Sequence, residues 1–273
     1  METVRILCFG DLLGAPGCAL FQKYAQQLKR AYNAQAIIVN GENAATNGRG
    51  ISPKQVEMLR HAGAAMITGG NHIFQQKDIL LFFDQQGPNP YLLRPANFPS
   101  ICPGRGIGIV SLDDGTKIGV INVQGRVFMQ QHLDCPFRAV ETALSFLRTQ
   151  TPIIIIDFHA EASSEKAGMG FFCDGKVSAV VGTHTHVQTA DERIFPRRTA
   201  FISDLGMTGA RDSMIGMKVG TVLPHLLSQM PGRFEVENKG PFVVSGVCLE
   251  VEKETGRACS IERVSVLDED FSF

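Results

Sequence analysis

Short apolar runs separated by Gly-rich polar segments dominate this chain, and apolar residues at helical spacing follow most of them. Residues 4–9 form the first run, ending in Phe9-Gly10-Asp11. Beyond Gly14, Pro16 and Gly17, the apolar Leu20, Phe21, Tyr24 and Leu28 return at three- and four-residue intervals. The pattern predicts strand, loop, helix. Residues 36–39 repeat it before Gly41-Glu42-Asn43. Ser52-Pro53 then opens a helix carrying Val56 and Leu59, with serine as the cap and proline in the first turn. Residues 64–68 read as a third strand ahead of Gly69-Gly70-Asn71-His72, and residues 75–83 as a third helix. Strands alternating with helices predict a largely parallel sheet in this half.

Between residues 107 and 123 the pattern changes to two β-rich runs joined by Asp113-Asp114-Gly115-Thr116, where Asp-Gly signals a hairpin. Residues 136–147 carry apolar positions at helical spacing, and 152–156 form an Ile-rich strand buried on both faces. Two more short strands are expected at 177–181 and 200–203, each turning polar at its end, and a helix at 222–228. The runs 242–252 and 259–266 around Glu254-Thr255-Gly256 predict a terminal hairpin. Nothing repeats at a fixed period and no linker interrupts the pattern, so one domain spanning residues 1–273 is expected.

Composition narrows the function classes. With 26 basic and 27 acidic residues the net charge is −1, so no global field draws the chain onto nucleic acid or an anionic membrane, and an anionic ligand must be held locally. Apolar stretches such as 153–156 are too short for a spanning helix, and the N-terminus lacks a basic segment leading into a hydrophobic signal core. A soluble cytoplasmic protein without a membrane partner is expected. Seven cysteines with no C-x-x-C pair read as reduced, mostly buried thiols.

What remains is a set of oxygen and nitrogen donors placed just after the apolar runs: Asp11, Glu42-Asn43, Asn71-His72, His159, and the pair His184 and His186. Four of the seven histidines fall here. In open α/β sheets ligands bind at the carboxyl ends of strands, and scattered acids and histidines would not track those ends five times. The donor mixture suits a pair of divalent metals, and such pairs catalyse in-line displacement at phosphorus. His184-Thr185-His186, if extended, would put both imidazoles on one side. Glu42, a carboxylate beside a carboxamide, is the candidate for a carboxylate shared between metals. Gly69-Gly70 lets the backbone approach a ligand closely, Asn71 supplies a neutral oxygen, and His72 stands beside it as a proton donor. His61, His132 and His225 have no donor neighbours and read as ordinary histidines.

The order Asp, Gly-Glu-Asn, Gly-Asn-His, a single His, then Gly-Thr-His-Thr-His resembles the calcineurin-like metallophosphoesterase superfamily. More narrowly it resembles the bacterial YmdB family, whose members act on 2′,3′-cyclic nucleotides. The likeness covers nearly the whole chain and includes Arg94-Pro95-Ala96-Asn97, Asp157-Phe158-His159-Ala160-Glu161-Ala162 with Lys166, and Asp204-Leu205-Gly206-Met207-Thr208-Gly209. It implies a four-layer α/β/β/α sandwich with mixed sheets. It also implies two divalent metals per chain, iron or manganese. Asp11, Glu42, Asn43 and His186 would hold one, and Glu42, Asn71, His159 and His184 the other, with His72 near the substrate phosphate.

Most of the wider superfamily opens with Asp-x-His, whereas Leu13 stands at that histidine here, and Asn43 is the supplement. The implied reaction is phosphodiester hydrolysis of 2′,3′-cyclic nucleotides or RNA-derived cyclic phosphates, by in-line attack of a bridging hydroxide. Glu42 and His72 are the catalytic candidates, and Arg94, Lys166 or Arg126 the candidates for holding the anion. Rival readings are a phosphomonoesterase or phosphoprotein phosphatase with the same metals, and a non-catalytic nucleotide- or RNA-binding regulator. A homo-oligomer is expected.

Overall fold

A computed structural model describes residues 2–273. Two mixed sheets pack face to face. The first has the order β2-β11-β12-β1-β3-β4, with β13 paired to β12. Its strands are β1 (Thr3–Phe9), β2 (Asp11–Leu12), β3 (Ala36–Asn40), β4 (Met66–Thr68), β11 (Met207–Ala210), β12 (Phe242–Glu252) and β13 (Ala258–Asp268). The second has the order β5-β6-β7-β8-β10-β9, from β5 (Ile107–Ser111), β6 (Lys117–Gln124), β7 (Ile154–His159), β8 (Ala179–Thr183), β9 (Arg193–Ile194) and β10 (Ala200–Ile202).

The two-residue alternation of the strands makes the layers. From β1, Val4, Ile6 and Cys8 face the second sheet, while Leu7 and Phe9 face helices. From residues 153–158, Ile153 and Ile155 face the first sheet, and Ile154, Ile156 and Phe158 face the opposite way. Successive strand side chains point to opposite faces, so an unbroken apolar run serves two cores at once. Helices α1 (Gly14–Ala31), α2 (Pro53–His61) and α3 (Ile79–Gln85) cover the first sheet, and α4 (Pro136–Leu147) and α5 (Ser163–Cys173) cover the second. The result is the α/β/β/α sandwich that the family resemblance implied.

Several local expectations hold closely. The α2 start carries a capping box, with Ser52 and Gln55 bonding reciprocally and Pro53 in the first turn. The β5–β6 hairpin turns at Asp113-Asp114-Gly115, and α4 spans Pro136–Leu147 as its periodicity predicts. Others are corrected. The strands of the first half pair parallel as expected, β1–β3 and β3–β4, but the sheet as a whole is mixed because β12 inserts antiparallel beside β1, with Thr3 opposite Glu252. The third helix begins at Ile79, since residues 75–78 form turns and not the predicted first turn of helix. Helix α5, β2, β9 and β11 are additions, and α6 (Val219–Ser228) starts earlier than 222.

Candidate metal centre

Every one of the predicted donors sits at one end of the sandwich, where β1, β3, β4, β7 and β8 run out. Asp11 lies in β2 immediately after β1, Glu42 and Asn43 follow β3, Asn71 and His72 follow β4, His159 ends β7, and His184 and His186 follow β8. Asp11 and Glu42 are fully buried carboxylates.

The donors converge on His159 Nε2. Asn71 Oδ1 lies 2.9 Å from it, His184 Nδ1 3.0 Å and Glu42 Oε1 3.2 Å. A ring nitrogen carries at most one proton and cannot satisfy three such neighbours. Glu42, His159 and His184 have ligand atoms within 4.8 Å of one another, close enough to hold one ion. Beside them a second set gathers around His186 Nε2, which is 3.2 Å from Asn43 Nδ2 and 3.7 Å from Asp11 Oδ1. That Asp11 oxygen is buried without a hydrogen-bond partner, while its other oxygen accepts His184 N–H at 3.1 Å. An orphaned carboxylate oxygen in a protein interior is costly unless a cation faces it. The donor set therefore fits a divalent ion. Gly70 completes the cradle, because a Cβ there would collide with Glu42 Oε2 and His159 Nε2.

Electrostatics divide the protons within this group. Burial pushes the Asp11 carboxyl up to about 6 against the pull of His186 and His159. Burial acts on Glu42 in the same sense, but His159 and His72 outweigh it and hold the carboxyl well below the usual carboxylate range. Burial also opposes a charge on His159, yet Glu42, Asp11 and Asp157 overcome it and raise the imidazole to about 9. Burial, followed by the charge of His159, presses His184 down to about 3 and leaves its lone pair available. His72 Nδ1 lies 2.8 Å from Asn43 Oδ1 and 3.3 Å from Glu42 Oε1, and its backbone N–H donates to Glu42 Oε2 at 3.1 Å.

The histidine pair reaches the cluster by a route the sequence did not disclose. His184 and His186 are not extended: they adopt φ of +106° and +66°, a left-handed region that side chains other than glycine rarely occupy. Such strain persists only where the surroundings fix it. Here Asp204 fixes it, accepting Thr185 N–H at 3.0 Å and Gly206 N–H at 2.9 Å, and pairing with Lys166 Nζ at 2.7 Å. Lys166 is thus a buried support for the turn and not an anion holder. Arg94 is not one either, because its guanidinium is buried and donates to the carbonyls of Pro95, Pro103 and Cys102. Arg126 alone of the three is exposed, two residues past β6. Glu165 holds that loop by accepting the Arg126 and Val127 N–H groups.

Beneath the donors lies a buried polar network that the sequence reading missed. Thr183 Oγ1 sits 2.9 Å from His159 Nδ1 and donates to Asp157 Oδ1 at 2.8 Å. Asp157 also accepts from Asn40 Nδ2 at 3.0 Å and from the Thr68 hydroxyl. This places a proton on His159 Nδ1 and aims Nε2 into the cluster, as carboxylate-linked partners do for metal-bound histidines. Glu161 does the same for His184, lying 3.2 Å from its Nε2. The signal was present as single polar residues closing apolar strands: Asn40, Thr68 and Thr183.

Comparison with known proteins decides the family. The model of the family described as YmdB-like protein matches residues 7–264. This chain belongs to the YmdB-like family. Within that family it is 44% identical over 270 residues to the 2′,3′-cyclic-nucleotide 2′-phosphodiesterase of Bacillus subtilis strain 168, covering 99% of this chain and 100% of the relative. Two crystal structures superpose on the YmdB-like chain. One, described as a novel phosphatase from Mycoplasma pneumoniae, has a TM-score of 0.89 at 32% identity and covers 99% of this chain and 95% of its own. The other, a Thermus thermophilus protein described as hypothetical, has a TM-score of 0.87 at 32% identity and covers 97% of this chain and 100% of its own. No helix among the described residues is long and apolar enough to cross a membrane.

Proposed function

We propose that this YmdB-like chain is a dinuclear-metal phosphodiesterase acting on 2′,3′-cyclic nucleotides or RNA-derived cyclic phosphates. The observation that carries the reading is the convergence of Asn71, His184 and Glu42 on His159 Nε2 beside the orphaned Asp11 oxygen. The full-length likeness to a 2′,3′-cyclic-nucleotide 2′-phosphodiesterase supports the substrate class. Asp11, Glu42, Asn43 and His186 would hold one ion, and Glu42, Asn71, His159 and His184 the other. Asn43 needs a half-turn of its carboxamide to present Oδ1, because Nδ2 now faces Glu42 and His186. Oxygen and imidazole donors in this mixture accept several divalent metals, and the family likeness favours iron or manganese. When bound, such a pair supplies Lewis acidity toward the phosphate and lowers the pKa of water.

The chain's own groups supply the rest. His72, its Nδ1 turned toward Asn43 and Glu42, offers Nε2 to the leaving group. Hydrolysis adds water to phosphorus and breaks one ring P–O bond, and the departing sugar oxygen takes a proton, which His72 donates. Arg126, exposed two residues past β6, would hold the phosphate anion. We place the protein in the cytoplasm on the strength of its free thiols, Cys8, Cys18, Cys102, Cys135, Cys173, Cys248 and Cys259. We also read residues 1–273 as a single domain that self-associates.

Freshly purified, metal-analysed protein assayed side by side on a 2′,3′-cyclic nucleotide, a 3′,5′-cyclic nucleotide and an aryl monophosphate tests the reading. The 2′,3′-cyclic substrate is expected to give the highest kcat/KM. A faster monophosphate would favour the phosphomonoesterase reading, which the phosphatase description of the Mycoplasma pneumoniae structure makes the natural second choice. Tight binding without turnover under manganese and iron would exclude both.

Support beneath the site gives a further test. Thr183→Val preserves shape but removes the hydroxyl between His159 and Asp157. Divalent-metal affinity, measured by titration calorimetry, is expected to fall about 10- to 100-fold. An unchanged affinity would detach Asp157 from the site.

A further inference from the structure

At the opposite end of the second sheet, where its strands begin, an open groove of about 1070 Å³ is lined by Arg148, Lys176, Arg197, Arg198 and Arg257. Glu254 is the one acidic residue of its lining, and Asp174 at its edge is occupied by the Arg197 backbone N–H at 3.1 Å. Among the described residues, none of the five cations forms an ion pair. In a chain of net charge −1, five unpaired cations in one groove are a pronounced local excess.

A purely structural account covers part of this. Arg148 and Lys176 follow α4 and α5, where cations complement helix C-termini, and Arg148 Nη2 donates to the Lys176 carbonyl at 3.0 Å. Arg197, Arg198 and Arg257 cap no helix. Arg198 even holds φ at +74° in the β9–β10 turn, where glycine or asparagine would be less strained. A strained, exposed arginine beside another on a tight turn is a costly choice unless its charge is used. The β12–β13 turn carrying Arg257 and the β9–β10 turn carrying Arg197 are tightly seated: a Cβ on Gly256 would collide with the Pro152 carbonyl, and one on Gly175, after α5, would lie 2.8 Å from Arg197 Cβ. The charges are therefore carried on rigid loops.

We propose that this groove binds a chain of closely spaced phosphate groups, as in an RNA backbone, at a site separate from the metal centre. Its lining holds no aromatic ring on which a base could stack, so it reads phosphate and not sequence. β7 spans six residues between the two ends, which places the groove roughly 20 Å from the donors at about 3.3 Å per residue. The inference stands independently of the proposed activity.

Fluorescence anisotropy of a labelled oligouridylate of about 20 nucleotides, with inorganic tripolyphosphate as competitor, tests it. Five phosphate contacts predict a slope of log K against log salt of about −3.5 for a single strand. The triple variant Arg197→Gln, Arg198→Gly, Arg257→Gln keeps the left-handed turn position and should lose three contacts, flattening the slope to about −1.4. Competition by tripolyphosphate at equal charge identifies a free polyphosphate as the ligand, and its failure identifies the longer RNA chain. Circular dichroism and the thermal midpoint of the variant establish that it folds. RNA affinity and slope unchanged in a folded variant would overturn the proposal, as would absence of binding by the parent protein to both probes at low salt.

Discussion

Glu42→Gln is expected to lower turnover of a 2′,3′-cyclic nucleotide by roughly 10²- to 10³-fold or more, the scale of losing a transition-state electrostatic contact, while the fold survives. Four groups compete for its carboxylate: Asn43 Nδ2 and His159 Nε2, each at 3.2 Å, and His72 Nδ1 at 3.3 Å from Oε1, and the His72 backbone N–H at 3.1 Å from Oε2. A glutamine retains the shape but turns one acceptor into a donor facing donors, and it removes the charge that two cations would share. The stability readout separates this role from simple packing. Saturating metal stabilises a protein that binds it in the folded state by about 2.7 kcal/mol at 100 times Kd. Manganese should therefore raise the midpoint of the parent protein and leave that of Glu42→Gln nearly unmoved. Near-normal turnover of a metal-replete Glu42→Gln protein would remove Glu42 from the centre.

Lys166→Met should cost about 3–5 kcal/mol of stability, the usual penalty for breaking a buried pair from one side. The midpoint should fall by roughly 10 °C in a chain of this size. Lys166 and Asp204 are 2% and 1% exposed along their side chains, and methionine fills the stem's volume while leaving the carboxylate without its cation. Asp204 also anchors the turn that holds His184 and His186 at positive φ, so activity should fall together with stability. Lys166→Met combined with Asp204→Asn should recover much of the stability, because no uncompensated charge remains. A loss below about 1 kcal/mol in urea unfolding would show that water reaches the pair.

Local signals were faithful wherever the cause of structure is local. The apolar runs at 4–9 and 153–156 marked strands, and Ser52-Pro53 marked a helix start. The donors themselves were legible because strand ends leave a clear mark: an apolar run broken by Gly and a polar side chain. What escaped depends on distance or on context. No local pattern records that β12 lies against β1 across nearly the whole chain length. Helix α5 was missed because Gly168 and Gly170 dilute its periodicity, and a Cβ on Gly170 would strike Phe195 and Phe201. Lys166 and Arg94 looked like anion holders since burial is not written in a residue's identity. The left-handed His184 and His186 were unreadable because tertiary bonds impose that conformation.

The donors are shared between the layers: Asp11, Glu42, Asn43 and Asn71 arrive from the first sheet, and His159, His184 and His186 from the second. Hydrogen bonds already cross there, from Asn40 to Asp157 and from His184 to Asp11. Any ion seated among them clasps one sheet to the other. Slippage of the sandwich by even an ångström would part its ligands, so the alignment of the two sheets and the retention of metal form one coupled equilibrium.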